Sequence, residues 1–542
     1  MTNDAEFLAA ALLLLRGVDY FLVLSLPFFA AAAAALRTRF RQPASLVLFG
    51  LAGIALAAYA AFWLWFFSPR TGYWFSLMLP LACGGYLAWS WRKFEHRERA
   101  AFRAISKPWT LSLAAALLIL AAGFLFGGWA TPLTTAQARF SHALPPDNAL
   151  PLIFADQLRQ GKVLRPMAGE WHSSDRPPLQ TGFTLLADPY RAGPRTLGYM
   201  ILAVFLQSLW IPAAWALFKT LQVSGRITAW LIAGVLFSGF VFVNSFFVWP
   251  KLLSAAYAIA CLAALFASEP AAAIGGVLGA FSLLAHGGSV FALLGAAAAL
   301  VLLRKRVTIR TALTILAALS LSYAPWFAYQ KLYDPPGDRL LKMHLAGDES
   351  DPRPLGIALK DAYGRLTVRQ MMAARVQNAK TAFGYEAEYW RNWLSAHEQR
   401  TWQFFYFFPA LGIYMLGPLA LAAGFARKCR TSLWRIAALC WIFVLCTLVV
   451  WCALLFTPRA AVIHQGAYAA VVLAVAGSVL ALWNVSRRLA QILITLQSAA
   501  AFLIYVVLAP GEVHSAMLLL LIGALCLLAW TLRWMARERE VQ

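Results

Sequence analysis

The chain is 542 residues long and 61% hydrophobic, with 46 Lys and Arg against 23 Asp and Glu for a formal net charge of +23. A mean hydropathy of +0.66 excludes an ordinary soluble domain, and apolar runs of membrane-spanning length recur throughout. The positive charge does not point to nucleic acid, because it sits in short loops between apolar runs, as expected of loops kept on the cytoplasmic side.

In chain order, spans are expected near 8–36, 44–67, 72–91, 108–127, 197–218, 227–246, 252–267, 272–286, 288–303, 311–328, 404–426, 435–456, 467–484, 489–508 and 516–532. The count is fourteen or fifteen, because Arg16 and Asp19 interrupt the first run. They are either an ion pair facing the bundle or the edge of an interfacial helix. The fold class is therefore an all-α polytopic membrane protein with interfacial helices in its outer loops. Its expected parts are N-terminal spans (1–127), a first outer loop (128–196), central spans (197–328), a second outer loop (329–403) and C-terminal spans (404–542). The 22 Trp and 17 Tyr often fall near span ends, as interfacial anchors do. Of seven cysteines, six lie in apolar runs and Cys429 lies in a basic loop, so no outer disulfide framework is expected. Asp4 and Glu6 precede any base, so no cleavable signal peptide is expected either.

Orientation follows from the loop charges. The loops 37–43, 92–107, 219–226, 268–271, 304–310, 427–435 and 485–488, with the C-terminal tail, hold 24 Lys or Arg against 5 Asp or Glu. The long loops 128–196 and 329–403 hold 7 against 5 and 11 against 9. The basic set is assigned to the cytoplasm and both long loops to the outer face.

Residues 145–183 stand out as a polar stretch in a hydrocarbon-like chain. Asp147 follows an apolar run, and a helix is expected over 150–161, with Leu150, Ile153, Phe154 and Leu158 on one face and Asp156, Gln157, Arg159 and Gln160 on the other. A one-sided helix of this kind lies in the membrane interface, apolar face down. Pro151 favours the first helical turn, which leaves Asp147 just outside it and less suited to capping. Asp175-Arg176-Pro177-Pro178-Leu179 follows, with the stiff Pro-Pro pair fixing the direction of the chain.

Asp147, the Ala155-Asp156-Gln157-Leu158-Arg159-Gln160-Gly161-Lys162 helix end and Arg176-Pro177-Pro178-Leu179 together resemble the first outer loop of GT-C class membrane glycosyltransferases, which use lipid-linked sugars and include aminoarabinose transferases and protein mannosyltransferases. The resemblance covers about forty residues. It implies a GT-C-like bundle in a bacterial inner membrane, with Asp147 as general base and a polyprenyl-phosphate-linked sugar as donor. A direct, inverting displacement is part of the same implication, with a glycan, lipid or protein as acceptor. Two departures stand in the motif: Asn148 where the family often has a second acid, and Arg176 where it has Lys. The first removes a ligand that a divalent metal would use; no cofactor is indicated, and no metal-ligand spacing occurs.

Other outer polar residues are candidates beside these. Lys251, Arg339 and Lys342 join Arg176 as donor-phosphate ligands, Lys251 because a cation opening a membrane helix must snorkel or meet an anion. Asp156, Asp175, His286, His344 and His464 are candidate substrate contacts. Two rival functions remain. An O-antigen-type polymerase or ligase would depend on outer Arg and His residues, and a transporter or flippase would carry charges in mid-span and broken helices.

The charge bias makes the orientation testable. With the native cysteines replaced, a single cysteine in 128–196 should react with an impermeant maleimide from outside intact cells, and one in 92–107 only after lysis. The reverse pattern would overturn the outer-face assignment.

Overall fold

Proline and short polar residues punctuate the apolar runs into helices. Helix α1 (Asn3–Thr38) is followed by α2 (Pro43–Phe67) and α3 (Pro69–Lys93), each of the latter two beginning on a proline whose missing N–H would be unpaired there anyway. Ser68 alone separates α2 from α3: its amide closes α2 on the Leu64 carbonyl, and its hydroxyl caps α3 at the Thr71 amide. Glu95 and Glu98 form a reciprocal cap that opens α4 (His96–Gly123). Then come α5 (Pro132–Ala138), α6 (Leu150–Arg159), α7 (Leu179–Leu186), α8 (Arg195–Gln207), α9 (Trp210–Thr220), α10 (Gly225–Leu236), α11 (Gly239–Phe247), α12 (Lys251–Phe266), α13 (Ala272–Ala285), α14 (Val290–Leu302), α15 (Ile309–Ala328), α16 (Arg339–Ala346), α17 (Leu355–Gly364) and α18 (Val368–Phe383). The computed structural model describes residues 3–38, 40–141, 144–191, 193–267, 271–303, 308–384, 391, 395, 407–456 and 468–537, and no strand occurs among them.

Every expected span is mainly helical where described, with breaks at 208–209 and 237–238. Among the described residues ten helices are long and apolar enough to cross a membrane, and eleven if the pair α10–α11, bent by 68°, counts as one. The chain is thus a multi-pass membrane protein by helix length and composition. The expected fourteen or fifteen exceed this because α12, α13 and the segment Gly287–Leu302 are shorter, at 10–17 residues, and α3, though 25 residues long, is less apolar. A 16-residue helix such as α12 extends only ~24 Å against a hydrocarbon core of ~30 Å. The α10–α11 bend falls at Phe237-Ser238-Gly239, where Ser238 stops following α10 and caps α11 instead.

Side-chain contacts sort the helix ends into two sets. His514 pairs with Glu6 at 2.6 Å and its amide bonds the Leu125 carbonyl at 3.0 Å, which brings together the start of α1, the end of α4 and the start of the last helix, Ser515–Ala536. At the other end, Arg37 lies over Trp89 at 4.0 Å and Lys107 over Trp534 at 5.8 Å. The Thr431 hydroxyl bonds Asn484 there at 2.6 Å. The basic loops 37–43, 92–107 and 427–435 thus attach to helix ends on one side of the bundle and Asp147's loop to the other. Arg16 and Asp19 form the ion pair, at 2.7 Å, and Arg16 also donates to the Tyr190 carbonyl.

The amphipathic segment is a helix, but its apolar face is not turned to lipid. Phe154 packs edge-on against Phe62 of α2 at 5.4 Å and lies 6.3 Å from Tyr329, so α6 rests on protein at this face. Gln157, expected on the polar face, is buried. Its amide donates to the Met167 carbonyl at 2.8 Å and its oxygen accepts from the Leu164 amide at 2.9 Å, pinning the loop that follows. Beneath, α7 lies so close to α2 that a Cβ on Gly182 would collide with the Ala58 carbonyl. Gly182→Leu should therefore destabilise the fold by ~1–3 kcal/mol or more, read as a lower melting temperature in detergent. An unchanged melting temperature would mean the two helices are free to separate.

Candidate functional site

The turn bearing Asp147 is set by its neighbours. Pro145-Pro146 leads into a single 3₁₀ turn, Pro146–Ala149, on which α6 begins. Asn148, the departure from an acidic pair, is fully buried: its amide donates to the Leu133 carbonyl at 3.1 Å and its carbonyl accepts from the Tyr199 hydroxyl at 3.0 Å. It anchors the turn from behind. Asp147 makes no cap. One carboxylate oxygen accepts the Trp249 indole N–H at 2.7 Å and the other accepts from Arg176 at 3.3 Å. Both partners of this ion pair are largely withdrawn from water, Asp147 being 13% and Arg176 14% exposed.

Around the pair is a wall of alternating cations and rings. The Arg176 guanidinium stacks on Trp171 at 3.9 Å, and Arg339 approaches the same ring at 5.4 Å. Arg339 also contacts Asp175 at 3.4 Å and donates to the Glu170 carbonyl at 2.6 Å. Burial raises the Asp175 pKa, opposed by the His172 amide and Arg339. Burial lowers that of Arg176, opposed by Asp147 and Asp175, but a guanidinium stays charged. Asp334 straps the two outer loops together, accepting from the Ser173 hydroxyl at 2.6 Å and the Ser174 amide at 2.9 Å.

Lys251, at the first position of α12, is 5% exposed and lies 3.5 Å over the Trp249 ring. Asp147 and Arg176 both act on it electrostatically. A small cavity beside it is lined by Ser254, His286, Ser289 and Tyr468. The Tyr468 hydroxyl bonds Asn244, and His286 Nδ1 accepts the Gly288 amide at 3.1 Å. His344, on α16, lies within electrostatic range of His286. The corner before α12 is forced: Val248 takes φ 58°, a left-handed conformation that a β-branched residue rarely adopts. Gln180 holds it there. Its amide donates to the Val248 carbonyl at 3.0 Å and to the Tyr199 hydroxyl at 2.8 Å, and its oxygen accepts from Gln207 at 3.1 Å. Gln207 in turn accepts the Leu253 amide at 3.1 Å.

The sequence-derived candidates thus separate. Asp147, Arg176, Lys251, Asp175 and Arg339 gather at one place, with His286 lining the cavity beside Lys251. The His344 carbonyl, on α16, accepts the Phe456 amide at 2.9 Å. Lys342, expected beside Arg339 as a phosphate ligand, is fully buried and engaged by Asp338 at 2.9 Å and the Asp351 carbonyl at 2.8 Å. It braces the outer loop, because the i, i+4 spacing turns it inward against the start of its own helix. Asp156 pairs with Arg195 in a separate cleft with Arg159 and Asp188, toward the far end of α6 from Asp147. His464 lies outside the described residues. Sequence reading missed Trp171, Trp249, Gln180, Tyr199 and Tyr468; Trp249, two residues before Lys251, was the available signal. Among the described residues no group of three His, Cys, Asp or Glu converges on a metal position. Compared with family models, curated proteins and solved structures, the chain finds no match.

Chemically, the site offers a carboxylate held by an indole N–H and a guanidinium, with a buried lysine amine on the same indole. Its geometry rests on Gln180. Gln180→Leu would strand the Val248 carbonyl and the Gln207 amide, at ~1–3 kcal/mol each, and should lower the melting temperature measurably. A neutral substitution would show that the network is dispensable for holding the Asp147–Trp249 contact.

Proposed function

We propose that the chain is a GT-C-like membrane glycosyltransferase that moves a sugar from a polyprenyl-phosphate carrier to an acceptor on the outer face of a bacterial inner membrane. One juxtaposition carries the reading. The Asp147 carboxylate is clamped between Trp249 and Arg176, with the buried Lys251 Nζ 3.5 Å over the same Trp249 ring. A base and two cations within one compact cluster suit a reaction that takes up a proton and releases a phosphate.

In the proposed step, the acceptor hydroxyl gives its proton to Asp147 as its oxygen bonds the anomeric carbon of the donor. The bond from that carbon to the phosphate oxygen breaks, and the polyprenyl phosphate leaves with inversion at the sugar. Arg176 and Lys251 meet the charge that develops on it. The Trp249 N–H orients the carboxylate throughout. A donor phosphate would compete with Asp147 for the Arg176 guanidinium and so free one carboxylate oxygen for the acceptor proton.

One observation favours a transport reading: the broken span α10–α11, since discontinuous helices recur in transporters. The break itself, at Phe237-Ser238, carries no charge that would bind a solute. Purified protein should therefore transfer or hydrolyse sugar from a synthetic prenyl-phosphate donor; movement of that lipid across vesicles without turnover would support transport instead.

Asp147→Asn should lower turnover by about 10²–10⁴-fold while leaving the fold and donor binding largely intact, since Asn keeps an oxygen for the Trp249 N–H but cannot take a proton. Arg176→Ala should instead weaken donor binding through loss of a charge-assisted contact. Near-normal turnover in Asp147→Asn would move the base elsewhere, with Asp175 the next residue to test.

A further inference from the structure

At the end of the bundle that carries the basic loops, α3 and α4 meet in a tight corner beside α1. Their rings form an apolar box: Trp91 stands 6.2 Å from both Phe94 and Phe102, Phe94 is 5.4 Å from Phe102, and Phe29 of α1 is 5.4 Å from Phe102. The box is the floor of a cleft of about 570 Å³ that continues along Leu87 and Ala88 of α3. Its rim holds two exposed guanidiniums, Arg92 at the end of α3 and Arg103 on α4.

The electrostatics of this corner are one-sided. The loop 92–107 has six Lys or Arg against two Glu. Both glutamates are engaged in capping α4, Glu98 accepting the Glu95 amide at 2.9 Å. Neighbouring cations are occupied by rings: Arg99 lies over Trp91 at 5.6 Å and Lys93 over Trp89 at 4.0 Å. Arg92 and Arg103 have no ion pair among the described residues. An apolar floor under two unpaired cations, at the end of membrane helices, complements an amphiphile with an anionic head. A zwitterionic head would also need a carboxylate to face its ammonium, and the cleft lining holds none.

We infer that this cleft binds an anionic phospholipid of the leaflet facing the basic loops, its phosphodiester between Arg92 and Arg103 and the head of an acyl chain along Leu87, Ala88 and the aromatic box. The site is at the opposite end of the bundle from Asp147 and does not depend on the proposed transfer reaction. Juxtamembrane cations contribute ~1 kcal/mol each toward anionic lipid, so removing both should weaken binding roughly 10- to 30-fold.

Native mass spectrometry and thermal stability of the full chain in detergent test this, with phosphatidylglycerol, phosphatidylcholine and inorganic phosphate as probes. Phosphatidylglycerol should remain bound and raise the melting temperature; phosphatidylcholine and phosphate should do neither. Arg92→Gln with Arg103→Gln should lose the phosphatidylglycerol effect while keeping its lipid-free melting temperature. Ala88→Trp, which fills the cleft and keeps every charge, should weaken lipid binding as well. Equal retention of phosphatidylcholine, or undiminished phosphatidylglycerol binding in both variants, would overturn the proposal. An equal response to inorganic phosphate would reduce the site to an anion contact with no lipid specificity and overturn it too.

Discussion

A backbone carbonyl or polar side chain buried among apolar helices must find its partner within the protein, and one buried chain of hydrogen bonds answers that demand around the Asp147 turn. Asn148, Tyr199, Gln180 and Gln207 pass donors and acceptors from the 3₁₀ turn on one side to the Val248 and Leu253 backbone on the other. The two segments are about a hundred residues apart, Asp147 and Trp249 being separated by 102 positions, and neither is regular helix where they meet. The strained φ of Val248 persists because this network fixes the corner from several directions. Asp147 and Trp249 then face each other as a consequence of groups that do no chemistry.

The outer loops add a second layer of constraint. Asp334 gathers Ser173 and Ser174, and Arg339 reaches back to Asp175 and the Glu170 carbonyl. The loop carrying Arg176 is therefore held by the loop after α15, and the two behave as one wall. Arg176 and Arg339 both contact the Trp171 ring, whose π-face attracts cations in a poorly hydrated place. A reaction that passes through a departing anion gains from such a wall, since its cations need not reorganise during the step.

The two ends of the bundle are electrostatically distinct. At one end cations are matched by buried carboxylates and indoles within a defined cluster. At the other they are exposed, in excess and placed over an apolar cleft, the arrangement that a charged leaflet complements. Both follow from where the chain turns: the two long loops at the Asp147 end fold on themselves, while the basic loops at the other end leave Arg92 and Arg103 exposed at the rim.

The sequence by itself determined the helical, multi-pass character, because runs of apolar residues of this length have few other stable outcomes in water or lipid. It also determined the start of α6 and the position of Asp147 outside it, through local proline chemistry. Lys251 was legible as a candidate because a cation opening a membrane helix is conspicuous, and Asp147 and Arg176 because they stand in a polar stretch that resembles a family motif. Only tertiary structure decided that Lys342 braces a loop, that Asp156 belongs to another cleft, that Gln157 turns inward and that α6 lays its apolar face on α2. The physical reason is common to all four. An amphipathic pattern says that a face will be covered without saying by what, and a charge near an interface says that a partner is needed without saying which; the answers lie on segments far away in the chain.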